Sequence, residues 1–82
     1  MKGKNNTLNK LPLNTKGFIK NLNCNGNTRR RLLDLGLVND TCITPIMESP
    51  SKGLKAFDIR GTLIAIRDED SKFIEIYNYK SF

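Results

Sequence analysis

Three consecutive arginines, Arg29, Arg30 and Arg31, carry the densest positive charge in this 82-residue chain, and Asp34 follows them closely. Successive helical residues point about 100° apart, so on a helix the three guanidinium groups fan around one turn and do not line one face. Arg30 and Asp34 stand four positions apart and can pair. The arginines could cover leucines with their stems, contact an acidic partner, or contact RNA phosphates. No aromatic residue is interleaved near them to stack on bases, which weighs against RNA.

The other reactive side chains predict no catalytic site. The chain contains no histidine, which removes the commonest general base and the commonest neutral metal ligand. Cys24 and Cys42 match no CxxC spacing and are expected to be reduced thiols that pack as small side chains. Asp68, Glu69 and Asp70 lack the spaced loop of a calcium site and are expected to form a solvated turn. We therefore expect a protein that is not an enzyme and that has no cofactor and no metal site.

The arginines open a short predicted helix. It begins at Asn27 or Thr28, either of which can cap free backbone N–H groups, and it ends at Gly36, whose position suits a left-handed residue. A helix of about two turns is marginal unless it is held by the apolar side chains that it buries. The leucines expected to form one apolar stripe on this helix are Leu32, Leu33 and Leu35.

The rest of the sequence predicts β-strands. Before the helix, Phe18, Lys20 and Leu22 alternate with Ile19 and Asn21, as in a half-buried strand. After the helix, four strand-length segments are rich in Ile, Phe, Tyr and Thr and are bounded by turn residues. These segments are residues 41–48, 54–60, 62–68 and 72–79.

Two residues indicate how the strands connect. Pro45 cannot donate to a strand ladder, so its strand should lie at an edge or carry a bulge there. Gly61 separates two apolar stretches without a loop, which predicts a sharply bent strand or a tight hairpin. Short strands joined in this way favour a small β-barrel. The predicted fold is mainly β, a barrel of about five strands with one short helix between the first and second strands.

Length and charge fit one small domain. The formal net charge is +6, and part of the excess comes from Lys2, Lys4 and Lys10. We expect residues 1–7 to be a disordered basic tail and residues 8–80 to be the single folded domain. The longest apolar run, residues 63–66, is far shorter than the roughly 20 residues that cross a bilayer, and no secretory signal is visible. The sequence therefore predicts a soluble intracellular protein whose electrostatic field favours acidic partners.

One helix-and-strand segment, "TRRRLLDLGLVNDTCI", resembles the signature of the FeoA family, the small ferrous iron transport protein A. In that family an arginine-bearing helix leads through "LLDLGL" into a turn and a strand. The similarity continues through "LPLNTKGFIKNL" before the segment and "GLKAFDIRGTLIAIRDEDSKFIEIY" after it, so it covers most of the chain. The family often has Pro-Gly in the turn after "LGL", where this chain has Asn39 and Asp40.

This resemblance implies a Src-homology-3-like (SH3-like) β-barrel, a domain type also similar to the C-terminal module of iron-dependent transcriptional repressors. It implies a non-enzymatic accessory protein of bacterial ferrous iron transport, which docks on the cytosolic G-protein domain of a FeoB-type ferrous iron permease without moving iron itself. The partner-binding residues that the resemblance implies are Arg29, Arg30, Arg31 and Asp34. The structural positions that it implies are Leu32, Leu35, Gly36 and Gly61.

The implied location is the cytoplasm, or the inner face of the membrane through the partner, with no membrane insertion and no nucleic acid partner. Two alternatives stay open. The +6 charge and the basic start would also suit an RNA-binding small β-barrel. The two thiols and the likeness to the repressor module would suit a metal-responsive SH3-like module. The sequence does not give the oligomeric state.

Overall fold

The chain folds into one antiparallel sheet of six strands, with a short helix inserted after the second strand. The computed structural model describes residues 5–78. The strands are β1 (Asn5–Thr7), β2 (Gly17–Leu22), β3 (Cys42–Glu48), β4 (Leu54–Ile59), β5 (Thr62–Arg67) and β6 (Ile74–Asn78). The helices are a 3-10 turn (Leu8–Lys10), α1 (Gly26–Asp34) and α2 (Asp68–Ser71). The order across the sheet is β1-β6-β2-β3-β4-β5, so β1 and β5 lie at its two edges.

The sheet closes over a single apolar core. Alternate residues of each strand point inward, because successive side chains of a strand lie on opposite faces. In β4, for example, Phe57 and Ile59 are buried, whereas the residues between and before them are partly exposed. The buried apolar side chains are Leu8, Leu11, Ile19, Leu22, Leu32, Leu37, Ile43, Phe57, Ile59, Ile66, Ile74 and Ile76.

β2 departs from the predicted alternation. Its register with β6 shifts after Ile19, which makes Lys20 the extra residue of a β-bulge. Ile19 and Leu22 therefore both face the core, whereas Phe18 is only half-buried. The prediction that Phe18, Lys20 and Leu22 share one face is wrong, because one inserted residue reverses the side-chain parity of the strand. Lys20 instead places its Nζ 5.7 Å from the centre of the Tyr77 ring.

Pro45 and Gly61 have the local structures that the sequence predicts. The β3–β4 register shifts between Pro45 and Met47, so β3 carries a bulge beside the proline. β4 and β5 form a tight hairpin whose turn residues, Arg60 and Gly61, have φ angles of 55° and 85°. Positive φ at both positions is typical of a type I′ turn, whose twist matches that of the flanking strands. The Gly61 N–H also donates to Asp58 Oδ1 at 3.0 Å, which closes the turn.

The fold begins earlier in the chain than predicted. Residues 5–7, expected to belong to a disordered tail, form β1 and pair with β6. On the side of β6 away from β2, backbone N–H and C=O groups would lack partners without β1, and the backbone of β1 pairs with them. The sheet therefore has six strands where about five were predicted. Residues 1–4, the start of the predicted tail, and residues 79–82, which include the end of the last predicted strand, lie outside the described residues.

The acidic segment predicted as a turn forms one helical turn, α2. Its last residue, Ser71, is buried and donates its hydroxyl to the carbonyl of Asp68 at 2.9 Å. Glu69 is exposed, and Asp68 and Asp70 are half-buried. Neither α2 nor any other helix within residues 5–78 is long and apolar enough to span a membrane.

Candidate functional site

The arginine helix α1 is fixed to the core at its C-terminal end. The Gly36 N–H donates to the carbonyl of Leu33, and the Leu37 N–H donates to the carbonyl of Leu32, each at 3.0 Å. This pair of bonds is a Schellman motif, and Gly36 occupies its left-handed position with φ of 103°. Leu32 and Leu37 are 1% and 0% exposed, so the two residues that the motif joins are buried in the core.

The predicted leucine stripe on α1 is wrong. Leu32 is buried and Leu33 is half-buried, but Leu35 remains 42% exposed. The core contact that replaces it comes from Leu37, which lies beyond the helix and is absent from the predicted stripe. A Schellman motif places the residue after its glycine against the helical residue five positions earlier. That rule, applied to Gly36, would have identified Leu37 from the sequence.

The N-terminal end of α1 is held less firmly. The helix begins at Gly26, before the predicted start at Asn27 or Thr28. Asn25 occupies the N-cap position with an extended backbone, and its side chain makes no capping hydrogen bond. The first turn contains no acidic residue to complement the positive end of the helix dipole. The attachment of α1 therefore depends mainly on Leu32 and the Schellman motif, with Leu33 packing partly against the core.

All three arginines of α1 are exposed, and so is Asp34. Within residues 5–78, no carboxylate lies within 4.0 Å of their guanidinium groups, so the Arg30–Asp34 pair considered from the sequence does not form. Helical geometry places Arg30 and Asp34 on the side opposite Leu32 and Arg31 on the flank, whereas Arg29 lies about 60° from Leu32. The helix therefore presents exposed positive charge that no carboxylate of the described structure pairs with within 4.0 Å.

Two exposed apolar side chains follow this charge along the chain. Leu35, directly after α1, is 42% exposed, and Val38, three residues later, is 40% exposed. We call Arg30, Arg31, Asp34, Leu35 and Val38 the α1 surface. Arginines beside exposed apolar side chains are typical of surfaces that bind proteins, because arginine is enriched at interfaces and apolar contacts form their centre.

The turn after α1 contains Asn39 and Asp40 where the FeoA pattern often has Pro-Gly. Asp40, which replaces the glycine, has φ of 69°, a left-handed conformation that aspartate adopts more readily than most residues. Its N–H donates to the carbonyl of Ile19 at 2.7 Å, and the Ile19 N–H donates to the carbonyl of Thr41 at 2.9 Å. These two bonds attach the turn to β2 and fix the direction in which the chain leaves α1.

Thr41, in this turn, provides a test of the local packing. Its side chain is 6% exposed, and its Oγ1 has no hydrogen-bond partner within the described residues. A buried hydroxyl without a partner costs about 1–3 kcal/mol. We expect Thr41→Val to raise the free energy of unfolding by about 1 kcal/mol, measured by urea denaturation. Thr44→Val, at a half-buried position, should change it by less than about 0.5 kcal/mol. A loss of stability in Thr41→Val would show that the hydroxyl has a favourable contact.

A shallow pocket of about 160 Å³ lies at the N-terminal end of α1. It holds one thiol, Cys24, and one carboxylate, Asp70. Both Cys24 and Cys42 are free thiols. No group of three or more metal-ligating side chains occurs within residues 5–78, whereas zinc sites use three or four protein ligands. The residues that line the pocket are Asn23, Cys24, Asn25, Thr28, Asp70 and Phe73.

This fold and sequence are similar to those of a known protein family. Residues 6–78 match the FeoA domain model. The FeoA protein of Chlorobium tepidum superposes with a TM-score of 0.85 at 22% identity, over 90% of this chain and 70% of that chain. The FeoA-like protein of Clostridium acetobutylicum has a TM-score of 0.85 at 23% identity, over 96% of this chain and 92% of that chain. At these low sequence identities, the structural similarity establishes a shared fold.

A third solved structure is the zinc complex of FeoA from Stenotrophomonas maltophilia, described as a prokaryotic SH3 domain protein. It has a TM-score of 0.74 at 26% identity, over 85% of this chain and 87% of that chain. The predicted mainly β, SH3-like fold is confirmed by these neighbours. No curated protein matches the sequence significantly. Because the family model extends from the first strand to the last, the protein belongs to the FeoA family.

Proposed function

We propose that this protein is a non-enzymatic accessory protein of ferrous iron transport, which docks through the α1 surface on the cytosolic G-protein domain of a ferrous iron permease. Family membership supports the link to iron, and the Stenotrophomonas maltophilia relative is itself proposed as a ferrous iron transport activating factor. The observation that carries the docking role is that Arg30 and Arg31 are exposed, with no carboxylate within 4.0 Å among the described residues, and that exposed Leu35 and Val38 follow them in the chain.

The α1 surface suits an acidic protein face. Guanidinium groups that lack a carboxylate partner can form bidentate, charge-assisted hydrogen bonds with aspartate or glutamate of a partner. Leu35 and Val38 would bury apolar area in the same contact, at about 25 cal/mol per Å² removed from water. A surface presented by one short helix is small, so the complex should be weak and reversible.

The side chains of this site favour a binding protein over an enzyme. The chain has no histidine, and the pocket beside α1 pairs one thiol with one carboxylate, without a base positioned to activate a nucleophile. The α1 surface itself contains no aromatic residue on which a base could stack, although stacking usually contributes to binding of single-stranded RNA. The protein partner is therefore favoured over RNA.

Isothermal titration of the protein into the purified cytosolic domain of the permease tests this proposal. We expect saturable one-to-one binding at about 50 mM salt and an affinity several-fold lower at about 300 mM, because salt screens exposed charge. A parallel titration with polyuridylate RNA provides the comparison. Absence of binding to the permease domain at both salt concentrations, or tighter binding to RNA than to the domain, would contradict the proposal.

A further inference from the structure

One edge of the sheet is open and unprotected. Within residues 5–78, β5 pairs only with β4, in a register that runs without a bulge from Leu54↔Arg67 to Ile59↔Thr62. β5 contains no proline, and it contains no charged residue before Arg67. Natural edge strands are usually protected by charges, prolines, bulges or short length. An edge strand of six residues without these features is available to pair with another strand.

The side chains of β5 also indicate an incomplete surface. Leu63 and Ala65 point away from the core and are exposed, Leu63 by 61%. Ile64 points inward and packs against the core, yet it remains half-buried. A strand placed alongside β5 would cover the open side of Ile64 and the flank of Leu63. Covering these apolar side chains provides the favourable free energy for strand addition.

The sequence of β5 is complementary to itself in the antiparallel direction. In a continuous sheet, residues that point outward on one strand must pair with residues that point outward on the next. The outward residues of β5 have odd numbers, so each must pair with an odd-numbered residue of the second copy. Two symmetric registers with five-residue overlap satisfy this condition. One is centred on Ala65 and the other on Ile64.

Charge distinguishes the two registers. Centred on Ala65, Arg67 of the second copy lies opposite Leu63, whose other neighbour in the sheet is Asp58 on β4. Arg67 and Asp58 then lie in one row, two strand spacings or roughly 10 Å apart, and their side chains can close this gap. Because the dimer is symmetric, this contact between Arg67 of one copy and Asp58 of the other occurs twice. Centred on Ile64, Arg67 would instead lie opposite Gly61 and beside Arg60, which places like charges together.

We propose that two copies of this chain associate by antiparallel pairing of their β5 strands, centred on Ala65, with Arg67 of each copy facing Asp58 of the other. Arg67 is free to make this contact, because its ion pair with Glu69 is long at 3.6 Å and both side chains are 70% exposed. Asp58 accepts the Gly61 N–H through Oδ1, and its second carboxylate oxygen has no partner within the described residues. The α1 surface is not used, so the dimer does not depend on the proposed function.

Sedimentation equilibrium tests the dimer. The wild-type protein should show a concentration-dependent monomer–dimer equilibrium. Ala65→Lys, which sets two ammonium groups against each other at the symmetry axis, should leave it monomeric. Met47→Lys, an exposed apolar position on the same face two strands away, is the control and should dimerise like the wild type. A wild-type protein that stays monomeric up to about 1 mM, the weak end of specific association, would overturn the proposal.

A charge exchange tests the register. Arg67→Glu and Asp58→Lys should each weaken the dimer by about tenfold, since each places like charges in two symmetric rows, and the double variant should recover most of the loss. Circular dichroism and the thermal midpoint of each variant show that it folds. A double variant that is no tighter than the single variants, or single variants that dimerise like the wild type, would overturn the proposed register.

Discussion

Leu32→Ala is expected to lower the free energy of unfolding by about 3 kcal/mol, within the range for buried leucines truncated to alanine. Leu32 is the one buried side chain of α1, and it is also the helical residue whose carbonyl accepts the Leu37 N–H in the Schellman motif. Its truncation leaves a cavity beside Leu37 and weakens the largest core contact of α1 within the described residues. Urea denaturation, followed by circular dichroism, measures the change.

Leu35→Ala is the matched control, because it makes the same chemical change three residues further along. Leu35 is 42% exposed, so little of its apolar surface leaves water on folding. Its truncation should cost less than about 1 kcal/mol. Equal losses in the two variants would mean that both leucines contribute to the core, as the predicted stripe would have required.

The second large effect is expected on partner binding. The double substitution Arg30→Glu with Arg31→Glu should weaken binding to the permease's cytosolic domain by about a hundredfold, since interfacial arginines frequently contribute more than about 1 kcal/mol each and reversal adds repulsion. Stability should change little, because both side chains are exposed and lack carboxylate partners within the described residues. Isothermal titration measures the affinity, and urea denaturation checks the fold.

Lys10→Glu with Lys52→Glu is the matched control for this reversal. It changes the net charge by the same amount, and both lysines are exposed on other parts of the fold, the 3-10 helix and the β3–β4 loop. Its affinity should fall only several-fold, through the weaker long-range field. If both double variants lose the same affinity, net charge alone governs binding and the α1 surface has no particular role.

Features fixed by local backbone chemistry could be predicted from the sequence. Gly36 follows a leucine-rich helix at the position where a left-handed residue ends it, and Gly61 interrupts two apolar runs where a two-residue turn fits. Pro45 lacks the N–H that a regular ladder needs, and β3 bulges beside it. In each case a single residue type restricts the backbone, so one sequence is sufficient to identify the structure.

Features set by pairing between distant segments could not be predicted in this way. The bulge at Lys20 arises from the register of β2 with β6 and reverses the faces of residues on either side of it. β1 forms because β6 has an open edge, although its own residues are polar and carry no strand pattern.

The candidate site was only partly predictable. The exposed arginines of α1 follow from their position in a short helix, but helical periodicity misses the exposure of Leu35, because the helix is held by Leu37, a contact that only the Schellman rule at Gly36 indicates. Helical periodicity assigns Leu35 to the core on the assumption that the contact comes from within the helix. The tertiary position of Leu37 therefore determines which leucine is left free to contact a partner.

Titration of the ¹⁵N-labelled protein with the unlabelled cytosolic domain of the permease, followed by amide chemical shifts, tests the docking surface most directly. We expect the largest shift changes within residues 29–38, on the exposed side of α1 and the turn that follows it, and little change in the amides of β4 and β5. Largest changes on the outer face of β3, β4 and β5, with residues 29–38 unaffected, would contradict this expectation.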